Sequence, residues 1–219
     1  MVITTREKTI DDMLFASVDL PSLDKELATQ QVLAVDKSLW WWDKYRATSM
    51  LPLMTKEAKA GVIGSSNSRG GDFQWLGHTP ECIRVWFDTV VFPWMGTKTR
   101  VMALMTKPNF ANEEHIDCDP HKMGTMQHKF RIVVHGKTST LYFKTTKGDV
   151  NVPEVDGPFL MDGSWLHGMN NTTDDFKLTI AAGAPWNGNP QYDNVTNLML
   201  KSDYEMPDNY KDYFQIVHR

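Results

Sequence analysis

Cysteine is scarce in this chain, with two among 219 residues, Cys82 and Cys118. They stand far apart and share no metal-binding spacing. A disulfide-stapled scaffold and a cysteine-built zinc site are therefore set aside, and both residues read as free thiols in a reducing compartment. Long apolar runs are missing as well. No stretch approaches the ~20 apolar residues of a membrane helix, and the opening MVITTREKTIDDML holds no apolar run of signal-peptide length. The expectation is a cytoplasmic protein with no membrane partner. An excess of basic charge is also lacking. Lys and Arg number 23 against 27 Asp and Glu, for a net charge of −4 and a pI near 6.0, so there is no electrostatic footprint for nucleic acid. There is no internal repeat and no low-complexity tract.

What is present suits one large folded domain. Hydrophobic residues make up 41% and charged residues 23%, ordinary for a globular chain of this length. Met13 to Leu20 partly alternates and reads as a strand. Ser22 to Val35 carries helical spacing at Leu23, Leu27, Val32 and Leu33 behind a Ser22 cap. Trp40, Trp41, Trp42 and Tyr45 form an aromatic knot that reads as core or a helix-packing face, with a ligand platform as the alternative. Gly64 to Gly71 (GSSNSRGG) is too small and polar to order itself by burial, and reads as a surface loop, with a mobile lid as the alternative. Thr79-Pro80-Glu81 looks like a helix start, with Ile83, Trp86, Phe87 and Val90 on one buried face and Pro93 as its end.

After Arg100 the pattern turns to strands. Val101–Met105, Phe130–His135, Thr138–Phe143, Gly157–Met161 and Phe176–Ala182 are short runs rich in β-branched and aromatic residues, separated by Gly, Asn, Asp and Pro. Trp186 to Tyr192 is turn-rich, and the tail docks by Tyr204, Tyr210, Tyr213 and Phe214. The expected fold is mainly β: a double-stranded β-helix, or jelly roll, with helices packed on one side. The expected organisation is a single domain over residues 1–219. Residues 1–98 give mixed helix and strand support, 99–186 the jelly-roll core with a metal site, and 187–219 a C-terminal tail.

Two stretches carry the chemistry, EEHIDCDPHK and GSWLHGMNNTTDDFKLTI. In extended chain, His115 and Asp117 project from the same face, so both reach one ion. Asp119, His121 and His128 are nearby competitors; Pro120 argues that the strand has ended before Asp119 can join. His167 lies between two strand-like segments that would bring it alongside the first pair. Two imidazoles and one carboxylate suit a facial triad for non-haem Fe(II), and three protein ligands also suit catalytic zinc. Lys177 and Thr179 share a strand face. Buried, Lys177 needs an anionic partner such as a dicarboxylate; at the surface it would pair with Asp174 or Asp175.

Taken jointly, His115, Asp117, His167, Lys177 and Thr179 resemble the pattern of the Fe(II)- and 2-oxoglutarate-dependent dioxygenase superfamily. Within it the chain looks most like the aspartyl/asparaginyl β-hydroxylase-like and proline-hydroxylase-like branch. Asp162, Ser164, His167, Asn171, Thr173, Asp174 and Lys177 follow that branch's order, and RVMALMTKPNFANEEHID is similar to its approach to the first ligand. The resemblance covers roughly Arg100 to Ala182. It implies Fe(II) held by His115, Asp117 and His167, with 2-oxoglutarate and dioxygen as co-substrates. It further implies that Lys177, helped by Thr179, meets the distal carboxylate of 2-oxoglutarate, and that Arg131 also contacts the co-substrate. The implied reaction hydroxylates an amino acid, free or within a peptide, while 2-oxoglutarate becomes succinate. The branch's basic residue is usually arginine, so Lys177 departs from it and loses the bidentate fork. The alternatives are a cupin-like isomerase or hydrolase using Zn or Mn, and a non-catalytic jelly-roll binding protein. Lys177 with Thr179 speaks against a zinc hydrolase, which has no need of a cation at that offset.

Overall fold

The computed structural model describes residues 12–43, 48–55, 73–117, 128–184 and 195–213. The expectations for Tyr45, Gly64–Gly71, Cys118, Asp119, His121, Trp186–Tyr192 and Phe214 lie outside these residues. The strands are β1 (Met13–Val18), β2 (Trp41–Asp43), β3 (Thr48–Thr55), β4 (Gln74–Trp75), β5 (Val101–Thr106), β6 (Phe110–Ala111) and β7 (His128–His135). They continue with β8 (Leu141–Thr145), β9 (Gly148–Asn151), β10 (Phe159–Asp162), β11 (His167–Asn171), β12 (Lys177–Ala184) and β13 (Val195–Leu200). The recorded pairings are antiparallel.

The chain from β5 to β12 winds between two sheets. β5, β7, β10 and β12 fall in the larger sheet, where the order is β13-β1-β10-β7-β12-β5-β3-β2; β6, β11, β8 and β9 form the smaller one in that order. This is a double-stranded β-helix. Strands before and after it extend the larger sheet, β1 and β13 beyond β10, β3 and β2 beyond β5.

Alternation along the strands sorts two cores. Phe130, Ile132 and Val134 of β7 and Leu178, Ile180 and Ala182 of β12 face outward, against Ala28 and Val32 of α1 (Lys25–Leu33). The same outer core takes Ile83 and Trp86 of α2 (Glu81–Trp86), and Phe87, Val91 and Phe92 beyond it. Val133, Leu141, Phe143, Phe159, Met161 and Trp165 fill the space between the sheets. Each fully buried side chain of this size contributes roughly 1.5–3 kcal/mol, so helices on one face and a closed sandwich on the other fix the larger sheet from both sides.

Several local expectations are corrected. The cap of α1 is Asp24, whose carboxylate accepts from the Leu27 N–H at 3.0 Å; Ser22 precedes the helix. Thr79 does not cap α2, because its hydroxyl donates instead to the Leu53 carbonyl at 2.6 Å and ties the helix entry to β3. Pro93 does not end the helical run. A π turn (Phe87–Val91) precedes α3 (Phe92–Met95), and the run stops at Gly96 with φ 69. The wider π turn accommodates a residue that lacks an N–H and whose ring would clash in regular helix. Trp40 packs against the outer core as expected, but Trp41 and Trp42 enter an edge strand, leaving Trp42 exposed against the edge of Phe110. Thr138–Thr140 make a 3₁₀ turn before β8, so that strand is shorter than its β-branched run suggests. Among the described residues no helix is long and apolar enough to cross a membrane.

Candidate active site

The smaller sheet sets the register of the donors. His115 and His167 face each other across an isolated antiparallel bridge, with backbone hydrogen bonds of 2.9 and 3.1 Å in both directions. The Asp117 N–H donates to the Gly163 carbonyl at 2.7 Å, so the turn between β10 and β11 holds Asp117 as well. The result brings one donor atom from each of His115, Asp117 and His167 within 4.8 Å of one another.

The carboxylate spans the two rings. His115 Nε2 lies 3.7 Å from Asp117 Oδ1, and His167 Nε2 lies 3.7 Å from Asp117 Oδ2. These separations are too long for hydrogen bonds, and resemble donors arranged around a shared ion at ~2.0–2.2 Å from each. Tautomers are set by the other ring nitrogens. His115 Nδ1 lies 2.8 Å from the Glu113 carbonyl and His167 Nδ1 lies 2.8 Å from the Trp165 carbonyl. A carbonyl only accepts, so each Nδ1 carries the proton and each Nε2 presents a lone pair.

His167 Nε2 is buried and makes no hydrogen bond. An unsatisfied buried acceptor costs free energy that a bound cation would remove. Burial, the neighbouring His115 and Arg131, opposed by Asp117 and the Trp165 carbonyl, push the His167 pKa down to about 3, so this ring stays neutral. Neutral imidazoles and an ionised carboxylate are the protonation states a divalent metal needs. The donor set therefore fits a first-row divalent ion such as Fe(II), bound on one face with positions left open. His128, a competing donor by sequence, opens β7 opposite Asp162 and stands outside this group.

Lys177 starts β12 and points between the sheets, opposite in sense to Leu178 and Ile180. It is 4% exposed. Its Nζ bonds the Thr140 hydroxyl at 2.5 Å, and among the described residues no carboxylate lies within ion-pair distance of it. The surface alternative does not hold: Asp175 binds His135 at 2.7 Å, and Asp174 accepts from Asn109 at 3.0 Å. Burial, then the like charge of Arg131, opposed by Glu154, lowers the Lys177 pKa to about 7. An anion placed beside this amine would restore its proton.

Thr179 is also buried on the inner face of β12, but the hydroxyl in contact with the amine is that of Thr140. Thr140 escaped the sequence reading because it comes from the turn before β8, far along the chain. Only its β-branched neighbourhood was visible, and that suggested a strand. Arg131, on β7, reaches the same interior, with Nη2 3.9 Å from Asp117 Oδ2. Trp165 packs in the inner core and donates from Nε1 to the Lys144 carbonyl at 2.8 Å.

The chain matches no family model, and no curated protein matches it. Solved structures of similar fold include a viral collagen prolyl hydroxylase from Paramecium bursaria Chlorella virus-1. It is 14% identical, with 80% of this chain and 97% of that one covered and a TM-score of 0.48. A prolyl-4-hydroxylase from Pseudomonas putida is 10% identical over 76% of this chain and 91% of the other, with a TM-score of 0.46. An oxidoreductase of the 2OG-Fe(II) oxygenase family from Burkholderia pseudomallei is 12% identical over 75% and 84%, with a TM-score of 0.45. Likeness at this level assigns no function.

Proposed function

We propose that this chain is a non-haem Fe(II) oxygenase that uses 2-oxoglutarate and dioxygen to hydroxylate an amino acid, free or within a peptide. One observation carries the reading. Two imidazole lone pairs and a carboxylate converge on one point, and the same interior holds a buried lysine whose ammonium donates to the Thr140 hydroxyl. When bound, the iron would supply the oxidation of a C–H bond, coupled to the conversion of 2-oxoglutarate to succinate.

His115, Asp117 and His167 would hold the ion. The two rings keep their protons on Nδ1, against backbone carbonyls, so both Nε2 atoms stay available without a proton loss on binding. The Lys177 ammonium, with the Thr140 hydroxyl, would receive the distal carboxylate of 2-oxoglutarate through charge-assisted hydrogen bonds. Arg131 supplies a second cation close to Asp117, placed for another carboxylate of the co-substrate or substrate. Phe143 and Leu141 are buried in the inner core, with the Phe143 ring 6.3 Å from that of His167, and apolar surroundings of this kind strengthen such electrostatic contacts. Among the described residues no carboxylate pairs with Lys177, Glu154 acting on it only at longer range; this favours the reading over a zinc hydrolase, which has no use for a buried cation.

The test is succinate release by Fe(II)-loaded protein in air, with 2-oxoglutarate and a panel of amino acids and short peptides. Slow release without substrate and faster release with one member of the panel are expected. Neither uncoupled nor substrate-driven release would sink the reading and promote a Zn or Mn enzyme of the same fold.

A further inference from the structure

The donor set hangs on a turn that is itself held by an ion pair. Asp162 ends β10 and is fully buried, with 0% exposure. Its Oδ1 accepts from the Ser164 N–H at 2.8 Å and from the Ser164 hydroxyl at 2.6 Å, so it closes the turn on itself. Its Oδ2 meets Lys201 Nζ at 2.5 Å. Inside that turn, the Gly163 carbonyl receives the Asp117 N–H, and the chain then runs through Trp165 to His167. Two of the three donors are thus positioned by the residues that Asp162 organises.

Lys201 comes from elsewhere. It follows β13, the edge strand of the larger sheet, which β1 separates from β10. The segment is fixed independently of Lys201. The Thr146 N–H donates to the Glu205 carbonyl at 2.9 Å, Met199 is buried, and Tyr204 and Met206 pack on the inner core. Removing the ammonium therefore leaves the segment docked and deprives the buried carboxylate of a strong partner.

We infer that Lys201, acting through Asp162, is a positioning residue that holds the Asp117–His167 turn in metal-binding register. The inference rests on reading His115, Asp117 and His167 as the metal ligands. It names no contact between Lys201 and the metal. The carboxylate without its ammonium would draw harder on the N–H and hydroxyl of Ser164 and on His128 across the strand pair, and the turn would loosen around Gly163. A shift there moves Asp117 relative to His115 and His167, which their backbone bridge ties to each other.

The test uses Co(II), whose visible absorption reports ligand number and geometry. Co(II) is titrated into the metal-free wild type, Lys201→Met, Lys201→Arg, and the double variant Asp162→Asn/Lys201→Met, with near-UV circular dichroism to confirm packing. The double variant keeps an amide oxygen for Ser164 and leaves no unpaired buried charge, so it guards against a fold that fails for want of charge balance. Expected are at least tenfold weaker Co(II) binding and altered visible bands in Lys201→Met and in the double variant, with Lys201→Arg close to wild type. Wild-type affinity and bands in a folded double variant would overturn the inference. Failure of the underlying metal reading looks different: wild type itself, or His167→Ala beside it, would show no site-specific Co(II) spectrum to lose.

Discussion

Lys177→Met should make the metal-free protein more stable at neutral pH while removing its response to 2-oxoglutarate. The unfolded chain keeps the lysine proton up to its ordinary pKa of 10.5, whereas burial brings the folded value to about 7. Between those values the unfolded state binds more protons, so the stability of wild type rises with pH across the window. Below pH 7 the full cost of burying the amine is present. At about 1.4 kcal/mol per pH unit it reaches roughly 5 kcal/mol, an order of magnitude only. Methionine fills similar volume without a charge, and the Thr140 hydroxyl keeps its own bond to the Lys137 carbonyl at 2.9 Å. The variant should therefore exceed wild type by about 3–5 kcal/mol at pH 7, or ~10 °C in Tm for a chain of this size. The gap should close as pH approaches 10. Melting is followed by tryptophan fluorescence from pH 6 to 10, with and without 2-oxoglutarate and Mn(II) under nitrogen. The ligand should raise the wild-type Tm and leave the variant unmoved. A variant less stable than wild type at pH 7, or a gap independent of pH, refutes the argument about the amine. A wild-type response to 2-oxoglutarate in the variant would hand its role to Arg131.

Asp117→Ala should abolish succinate release and lower affinity for Co(II) by at least an order of magnitude, while circular dichroism stays native, because this carboxylate faces the donor group rather than the core. Gly168→Ala should destabilise by about 1–3 kcal/mol in urea melts: a Cβ there would meet the Tyr142 hydroxyl and ring, the nearest ring carbon at 2.6 Å. Tyr142→Ala in the same chain should restore most of the loss, and no restoration would place the fault elsewhere. Asp24→Ala should cost about 1 kcal/mol by the same measurement, as the loss of the α1 cap; a neutral result would show that packing alone sets that helix end.

The site was legible where chemistry is local. His115 and Asp117 lie two apart in extended chain, and period-two projection alone puts them together. Lys177 and Thr179 could be placed on one strand face, but whether that face was buried or at the surface stayed open until the structure showed Lys177 4% exposed. The strands after Arg100 were readable from β-branched runs broken by turn residues. What stayed hidden depends on partners distant in sequence. Thr79 looks like a cap, but Leu53 of another strand takes its hydroxyl. Pro93 looks like a stop, but the π turn before it absorbs the misfit. Three tryptophans look alike, yet Trp40 packs on the outer core while Trp42 stays exposed on an edge strand. Thr140 and Lys201 have no local mark of function, since each acquires its role only from the residue it meets across the fold.

The winding of the chain between two sheets has a consequence for the order of assembly. His115 and Asp117 precede β7, and His167 opens β11, so four strands must be laid down before the third donor arrives. An unfolded chain cannot offer the triad as a chelate, because the loop between its halves has first to be closed by non-local strand pairing, the slow part of folding. Metal should therefore leave the refolding rate nearly unchanged and act on the finished molecule, slowing its unfolding by mass action on the native state. The ion enters a cage already built, and its identity is decided by which cation the completed cage admits.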